Sequence, residues 1–247
     1  IELPFSMNII LLKTQDFLSD SNTALIRDYR LTHILKVINP TIGQSLKVGL
    51  LGGDCGHGIV ESIDSQVVRL KVVLNQSAPS RHQFDIVLAL PRPKMLRRIL
   101  RTIAEYGVKN LHLINSARVE KSYWQSPLLQ PAKIQESLVA GMERSKDTLM
   151  TNVQFHPRFR PFVEDQLPHL CGSRSCWITD MNAEKSAIDL NIASKPSVIM
   201  IGPEGGFVPF EVDLATAKIA RSIHLGARVL SVDTAVTTVL AQALPSP

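Results

Sequence analysis

From residue 84 onward, short apolar runs alternate with segments whose apolar residues recur at the helical period, and this alternation constrains the fold most. The runs with strand character are FDIVLAL, NLHLINS, NVQFHP, CWITD, SVIMI and SIHLG. Helical segments are predicted at residues 91–108, 132–145, 162–167, 209–219 and 234–244. Strands that alternate with helices predict an α/β domain built on a largely parallel sheet.

The first part of the chain has a different pattern. Alternating runs such as SLKVGLL and VVRLKVVL are separated by turns such as GGDCGHG, which predicts a small β-barrel over residues 7–76. The segment LTHILKVI is predicted as a short helix within it. The linker-like stretch NQSAPSRHQ precedes the α/β domain, which is expected to span residues 84–247. Residues 1–6 stand before Met7, which resembles a natural start, and are expected to be a remnant of expression.

Composition and motif content argue against several classes of protein. Hydrophobic residues make up 45% of the chain, yet no apolar run approaches the roughly 18–20 residues of a membrane span. Three cysteines without a CxxC pair favour a reduced, cytoplasmic setting without zinc or disulfides. The sequence has no HxxxH motif or clustered carboxylates that predict a metal site, and no GxSxG motif of a serine hydrolase.

One predicted helix concentrates positive charge on a single face. Four cations fall within about a third of its circumference, opposite the apolar residues: Lys94, Arg97, Arg98 and Arg101. Like charges at this spacing repel, so the stripe favours an anionic partner such as an RNA backbone. Three further arginines could extend it: Arg81, Arg92 and Arg118. The alternative is a solvated basic face without a partner. An excess of Lys and Arg (27) over Asp and Glu (22) is compatible with both interpretations.

Two predicted strands run into glycine-containing loops near the end of the chain. The first loop is IGPEGGF, residues 201–207, and the second lies in IHLGARVLSVDTA, residues 223–235. Loops at the carboxyl ends of parallel strands form the usual ligand crevice of open α/β sheets. The first loop matches neither GxGxxG nor a P-loop, and Glu204 would oppose a phosphate. Taken alone it could equally be an ordinary tight turn.

As a pair, IGPEGGF and LGARVLSVDTA resemble the signature of SPOUT methyltransferases of the RsmE type. The resemblance implies a PUA-like barrel followed by an α/β domain with a deep trefoil knot, here at about residues 176–240. It implies an S-adenosyl-L-methionine-dependent enzyme that methylates N3 of a uridine in the 16S ribosomal RNA of the small ribosomal subunit. It also implies a homodimer formed through the knotted domain.

The resemblance assigns roles to individual residues. One wall of the cofactor pocket would comprise Ile201, Gly202, Gly205 and Gly206, and the other Leu225, Gly226, Val229 and Leu230. The strand CWITD and Met181 would supply a third edge. Methyl transfer to N3 needs a cation near the base oxygens, for which Arg228 is the candidate, with Glu204 and Asp233 as acids that orient the base or accept its proton. Arg228 could instead bind a phosphate or form a structural ion pair. Glu204 could face the cationic end of the cofactor, the substrate base or Arg228.

Some positions depart from the family pattern. Ser231 replaces a basic residue of the second motif, and Asp233 replaces the usual Glu. Where the family often has an E..EQ(C/S)GR segment, this chain has ESLVAGMERSKD. Arg144 could replace the terminal Arg of that segment as an RNA contact, whereas its Glu-Gln and Gly are altered. Two alternatives therefore stay open: a non-catalytic RNA-binding protein with a degenerate methyltransferase domain, or a SPOUT enzyme with a different RNA target, such as a ribose O2′ or a tRNA.

Overall fold

A computed structural model describes residues 8–19 and 22–244. Within this range the chain forms two compact units. The first unit contains the residues up to Ser80 together with residues 139–150, and the second contains residues 81–138 and those from Thr151 onward. The predicted domain ranges did not include residues 139–150 in the first unit. The expectation for residues 1–6 lies outside the described residues.

The first unit is built on one five-stranded sheet. Its elements are β1 (Ile10–Leu12), β2 (Thr23–Ile26), α1 (Tyr29–His33), which continues as a π-helical turn (Ile34–Ile38), β3 (Ser45–Leu50), β4 (Cys55–Ile63) and β5 (Val68–Gln76). The strand order is β1-β3-β4-β5-β2, in which β1 and β3 are parallel and the other pairs antiparallel. The short helix predicted from LTHILKVI is present. A PUA-like barrel remains a prediction.

The second unit is an α/β domain. Its strands are β6 (Phe84–Ala89), β7 (Asn110–Ile114), β8 (Asn152–His156), β9 (Ser175–Thr179), β10 (Ser197–Ile201) and β11 (Ala220–Ile223). Its helices are α2 (Pro93–Glu105), the first part of α3 (Pro131–Ser145), α4 (Phe159–Pro161), α5 (Leu167–Cys171), α6 (Pro209–Lys218) and α7 (Val232–Leu240). The predicted α/β class is confirmed.

All six strands of this domain are parallel, in the order β11-β9-β10-β6-β7-β8. Strands β6 and β10 are buried at every position, as the continuous apolar runs of a sheet covered on both faces require. Because the strands are parallel, the loops that follow β6, β9, β10 and β11 emerge at one edge. The sheet order therefore places the loop after β10 beside the loop after β6. The trefoil knot remains a prediction.

Helix α2 shows how sequence determines one of these elements. Pro93 occupies its first turn, where the missing N–H costs nothing. Its apolar positions Leu96, Ile99 and Ile103 are buried at the predicted period. Gly107, with φ of 67°, follows the helix in the left-handed conformation that ends it.

Among the residues that the structure describes, no helix has both the length and the apolar character needed to cross a membrane. The same residues contain no group of three or more His, Cys, Asp or Glu side chains that could hold a metal ion. Cys55, Cys171 and Cys176 are all free thiols.

Candidate functional site

A cleft of about 630 Å³ lies in the second unit at the carboxyl edge of the parallel sheet. Three segments line it: residues 201–207 after β10, residues 224–230 after β11, and residues 179–182 at the end of β9. Its volume falls within the range of small-molecule pockets, roughly 300–1,000 Å³. The two glycine-containing loops singled out in the sequence thus share one cleft.

The loop after β10 is a tight turn whose backbone leaves little room for side chains. The Gly206 N–H donates to the Pro203 carbonyl at 2.8 Å. Gly206 has φ of 72°, which side-chain-bearing residues rarely adopt. A Cβ atom on Gly202 would lie 3.0 Å from the Phe207 backbone nitrogen, so this position excludes even alanine without a shift. The turn keeps the cleft open beside β10.

The loop after β11 offers unused backbone groups to the cleft. Across residues 225–230, only the Gly226 N–H donates a hydrogen bond to the described part of the chain, to His224 Nδ1 at 3.1 Å. Leu225, Val229 and Leu230 line the cleft, and Val229 is 83% exposed. Polar backbone groups of this kind require a partner in water or in a ligand. The loop is therefore suited to hold a ligand through main-chain contacts.

Glu211 fixes one wall of the cleft, a role that the sequence analysis did not assign. Its buried carboxylate accepts hydrogen bonds from the Val208 N–H at 3.0 Å, the Ala117 N–H at 2.8 Å and the Ser116 hydroxyl at 3.0 Å. It thereby caps α6 and ties the loop after β7 to the loop after β10. The sequence does carry a signal for this role, because Glu211 is the third residue of the helix predicted at residues 209–219, where an acid often caps the helix start.

Glu204 and Gly205 lie at the rim of the cleft, where two arginines contact them. Arg92 Nε donates to Glu204 Oε1 at 3.3 Å, and the Arg92 backbone N–H approaches the same oxygen at 3.5 Å. Arg118 Nη1 donates to the Gly205 carbonyl. Glu204 is therefore paired with Arg92 and not with Arg228, the partner considered from sequence.

Arg228 and Asp233 occupy different environments. The Arg228 side chain lines the cleft, is exposed, and forms no ion pair with the described residues. Asp233 accepts from the Ser231 hydroxyl at 2.6 Å and forms an ion pair with Arg98 at 2.7 Å. The Ser231 hydrogen bond, together with the charge of Arg98, lowers the pKa of Asp233. The Ser231 hydroxyl, which stands where the family pattern has a basic residue, thus contacts the side chains of Asp233 and Thr234 and does not cap a backbone N–H of α7.

The cationic face of α2 is only partly free. Lys94 and Arg97 are exposed and have no ion pair within the described chain, whereas Arg98 is paired with Asp233 and Arg101 is half-buried. The Lys133 hydrogen bond, with the positive charges of Arg97 and Arg101, lowers the pKa of Glu136 on α3. Arg144 belongs to the first unit and is also exposed.

The chemical groups that line the cleft fit S-adenosylmethionine better than a phosphate-rich ligand. Apolar walls and free backbone groups suit an adenine ring, and carboxylates suit the cationic amino and sulfonium groups of the cofactor. The apolar lining includes Met181, Ile201, Phe207, Leu225 and Leu230, and the acidic lining comprises Asp180, Glu204 and Asp213. The cofactor walls proposed from sequence therefore border this cleft, except that Gly226 lies beside it.

Comparison with known proteins places this arrangement in a family. The chain is 26% identical over 233 residues to the ribosomal RNA small subunit methyltransferase E of Treponema pallidum, covering 93% of this chain and 87% of that protein. It is 21% identical over 232 residues to ribosomal RNA small subunit methyltransferase E 1 of Borreliella burgdorferi, covering 93% and 94%. The crystal structure of the Neisseria gonorrhoeae ribosomal RNA small subunit methyltransferase E bound to S-adenosyl methionine has the same fold, with a TM-score of 0.76, 20% identity and 96% of each chain covered. Because the family model described as RNA methyltransferase domain matches residues 78–244, more than half of the chain, this protein belongs to the RNA methyltransferase domain family.

Proposed function

We propose that the protein transfers a methyl group from S-adenosyl-L-methionine to N3 of a uridine in the ribosomal RNA of the small subunit. The observation that carries this proposal is the cleft formed by the loops after β10 and β11, with its tight glycine turn and unused backbone groups. Two further supports are the names of the relatives and the cofactor in the Neisseria structure. The uridine N3 specificity follows the RsmE-type resemblance.

In this proposal the chain holds the cofactor mainly through its backbone. Ile201, Gly202, Gly205 and Gly206 form one wall, and Leu225, Gly226, Val229 and Leu230 the other. When bound, the cofactor supplies an electrophilic methyl group to a nucleophile placed in line with it. The residues of the chain then orient the uracil, exclude water and stabilise the negative charge that develops on the base.

We also propose catalytic and RNA-binding roles for individual residues. Glu204 at the rim accepts the uracil N3 proton, and Arg228 provides a cation for the developing charge or for a nearby phosphate. The residues proposed to contact RNA are Lys94, Arg97, Arg98, Arg101 and Arg118 in the second unit and, separately, Arg144 in the first. From the resemblance and the composition we further propose that the protein forms a homodimer, contains a trefoil knot and is located in the cytoplasm.

The proposal is tested first by cofactor binding. Calorimetry with S-adenosylmethionine is expected to give a 1:1 complex with the wild type. Gly202→Ala is expected to bind more weakly, because its Cβ would meet the Phe207 backbone at 3.0 Å. Absence of binding by the wild type would overturn the cofactor assignment.

Transfer is tested on small ribosomal subunits from a deletion strain, with large subunits as the control RNA. Labelled methyl groups are expected in the small-subunit RNA alone, and mass spectrometry of the nucleosides is expected to find 3-methyluridine. Cofactor binding without transfer to any RNA would favour the non-catalytic alternative. A methylated ribose, or a methylated tRNA in total RNA, would favour a different target.

A further inference from the structure

We propose that Arg92, Glu204 and Arg118 together read the Watson–Crick edge of the acceptor uracil, so that these three side chains determine base specificity. This inference rests on the proposed function and assigns substrate recognition within the same site. Arg92 was considered from sequence only as an extension of the basic patch, and Arg118 as a contact for the RNA backbone. Their positions at the rim give them a different role.

The sheet order brings Arg92 to Glu204, which lines the cleft. Arg92 directly precedes α2 and follows β6, which pairs with β10, the strand that leads into Glu204. Only Glu204 Oε1 is used by Arg92, and Oε2 forms no hydrogen bond within the described residues. Arg92 is 66% exposed and uses its Nε, which leaves the terminal N–H groups of its guanidinium for a ligand. The pair thus presents donors beside a free carboxylate oxygen.

Arg118 reaches the same turn from another loop. Its guanidinium donates to the Gly205 carbonyl, one residue after the glutamate that Arg92 contacts. The backbone beside it is fixed, because the Ala117 N–H donates to the buried Glu211 carboxylate at 2.8 Å. Arg118 is exposed and has no carboxylate partner among the described residues. Arg118 also lines the cleft, so its remaining N–H groups are available to a ligand there.

The pattern of these groups is complementary to uracil. The Watson–Crick edge of uracil presents an acceptor, a donor and an acceptor, which are O4, N3–H and O2. In the proposed arrangement the guanidinium groups of Arg92 and Arg118 lie on either side of the Glu204 carboxylate and present a donor, an acceptor and a donor. Cytosine has a lone pair at N3 and an amino group at C4, so it would place like groups against Glu204 and one arginine. Each correct pairing is worth about 1–3 kcal/mol of discrimination in comparable base contacts.

The same three groups serve the chemical step. The N3 proton moves to Glu204, which becomes a carboxylic acid. The N3 electron pair then forms the bond to the methyl carbon, and the methyl–sulfur bond breaks with its electrons remaining on sulfur. The negative charge that builds on O2 and O4 lies against the two guanidinium groups, where preorganised donors stabilise it most. Arg228 is then left to contact a phosphate.

The test uses the full-length protein and small ribosomal subunits that carry either uridine or cytidine at the nucleotide mapped as methylated. The variants are Glu204→Gln, Arg92→Gln and Arg118→Gln. The matched control is Arg160→Gln, which breaks a surface ion pair of the same kind, to Glu164 at 3.0 Å, outside the cleft. The measurements are kcat/KM for transfer and the Kd of S-adenosylmethionine by calorimetry.

Glu204→Gln is expected to lower kcat/KM on uridine by about 10²-fold or more with an unchanged cofactor Kd. It is also expected to raise the ratio of cytidine to uridine methylation, because the glutamine amide can donate to cytosine N3. Each arginine variant is expected to lower kcat/KM, with partial rescue by lysine, which keeps the charge but not the planar donor pair. Arg160→Gln is expected to match the wild type.

Two results would overturn the assignment. One is transfer by all three glutamine variants at the wild-type rate and with the wild-type preference for uridine. The other is a loss of transfer that parallels a loss of cofactor affinity, which would make the rim contacts merely structural. Failure of the proposed function is distinguishable, because it would appear as absent uridine methylation in the wild type itself.

Discussion

At the scale of single residues, Glu211 depends most strongly on its surroundings, because its side chain is only 3% exposed and holds three hydrogen-bond donors. Two of the donors lie after β7 and one at the start of α6, so the carboxylate links two walls of the cleft. A buried donor left without a partner costs about 1–3 kcal/mol. The stability of the second unit and the shape of the cleft therefore depend on the same side chain.

Glu211→Gln tests this link. The glutamine has one acceptor oxygen and brings an amide donor against the donors of the loops, so we expect a loss of about 1–3 kcal/mol in the free energy of unfolding. The cofactor affinity is expected to fall as well. Urea unfolding followed by tryptophan fluorescence measures the first effect, since Trp124 and Trp177 both lie in the second unit. Glu184→Gln is the control, because Glu184 is exposed; equal stability of the two variants would contradict the prediction.

The sequence predicts the loops of the site better than the pairing of its side chains. The two glycine loops were predicted to share a pocket, because parallel strands place their carboxyl ends together, and they line one cleft. The pairing of Glu204 with Arg92 was not predicted, because it depends on which strand lies next to β10. That neighbour is β6, more than a hundred residues earlier in the chain, and it delivers Arg92.

At the scale of the element, α2 combines a buried apolar face with a cationic face whose members differ in availability. Arg98 is committed to Asp233, and Arg101 is half-buried with interactions of its own. Lys94 and Arg97 are exposed and without ion pairs in the described chain. Binding to an RNA backbone should therefore depend mainly on these two side chains.

The double variant Lys94→Gln/Arg97→Gln is expected to weaken RNA binding uniformly across RNA sequences. Loss of two phosphate contacts should reduce the slope of log K against log salt by about 1.4–1.8. Fluorescence anisotropy with labelled small-subunit RNA at several salt concentrations measures both effects. Lys195→Gln/Lys218→Gln, which removes two exposed lysines elsewhere in the unit, is the control. An unchanged slope would remove α2 from the RNA-binding surface.

Sequence periodicity predicted the elements well but could not divide them between units. Apolar runs and amphipathic segments identified β6, α2 and β10, because burial on both faces or on one face leaves a clear pattern. The division between units falls within α3, whose helical pattern continues unbroken from residue 131 to residue 145. The boundary lies between Leu138 and Val139, and the nearby Gly141 lies within the helix without interrupting it, so no loop marks the division.

At the scale of the whole molecule, residues 139–150 return the chain to the first unit. Glu143 is held there by the Tyr29 hydroxyl, which donates to its carboxylate at 2.8 Å, and its carbonyl accepts from the Asn8 N–H at 2.8 Å. Thr148 and Gly52 are joined by a further backbone hydrogen bond of 2.8 Å. A fragment that begins at residue 81 would lose all these partners. The first unit therefore depends on a segment that lies far away in the sequence.

Glu143 also makes the stability of this unit depend on pH. Burial raises the pKa of its carboxyl from the ordinary 4.5 to about 7, against the lowering effects of Tyr29, Arg30 and Lys13, while Asp28 adds to the increase. The folded state therefore holds a proton that the unfolded chain releases between about pH 4.5 and pH 7. Because the folded state binds more protons in this window, stability is greatest below it and falls as the pH rises.

The variant Glu143→Gln isolates this effect, because glutamine resembles the protonated acid and does not titrate. Relative to the variant, the wild type is expected to lose up to about 1.4 kcal/mol of unfolding free energy per pH unit across the window. The measurement is urea unfolding at several pH values followed by far-ultraviolet circular dichroism, since both tryptophans lie outside the first unit. Subtracting the unfolding free energy of the variant from that of the wild type at each pH cancels the contribution of the buried histidines, which both proteins share. The control is Glu136→Gln, which replaces an exposed acid on the same helix and should keep the wild-type dependence of unfolding free energy on pH. A difference in unfolding free energy between the wild type and Glu143→Gln that stays constant from pH 5 to pH 8 would contradict the assignment.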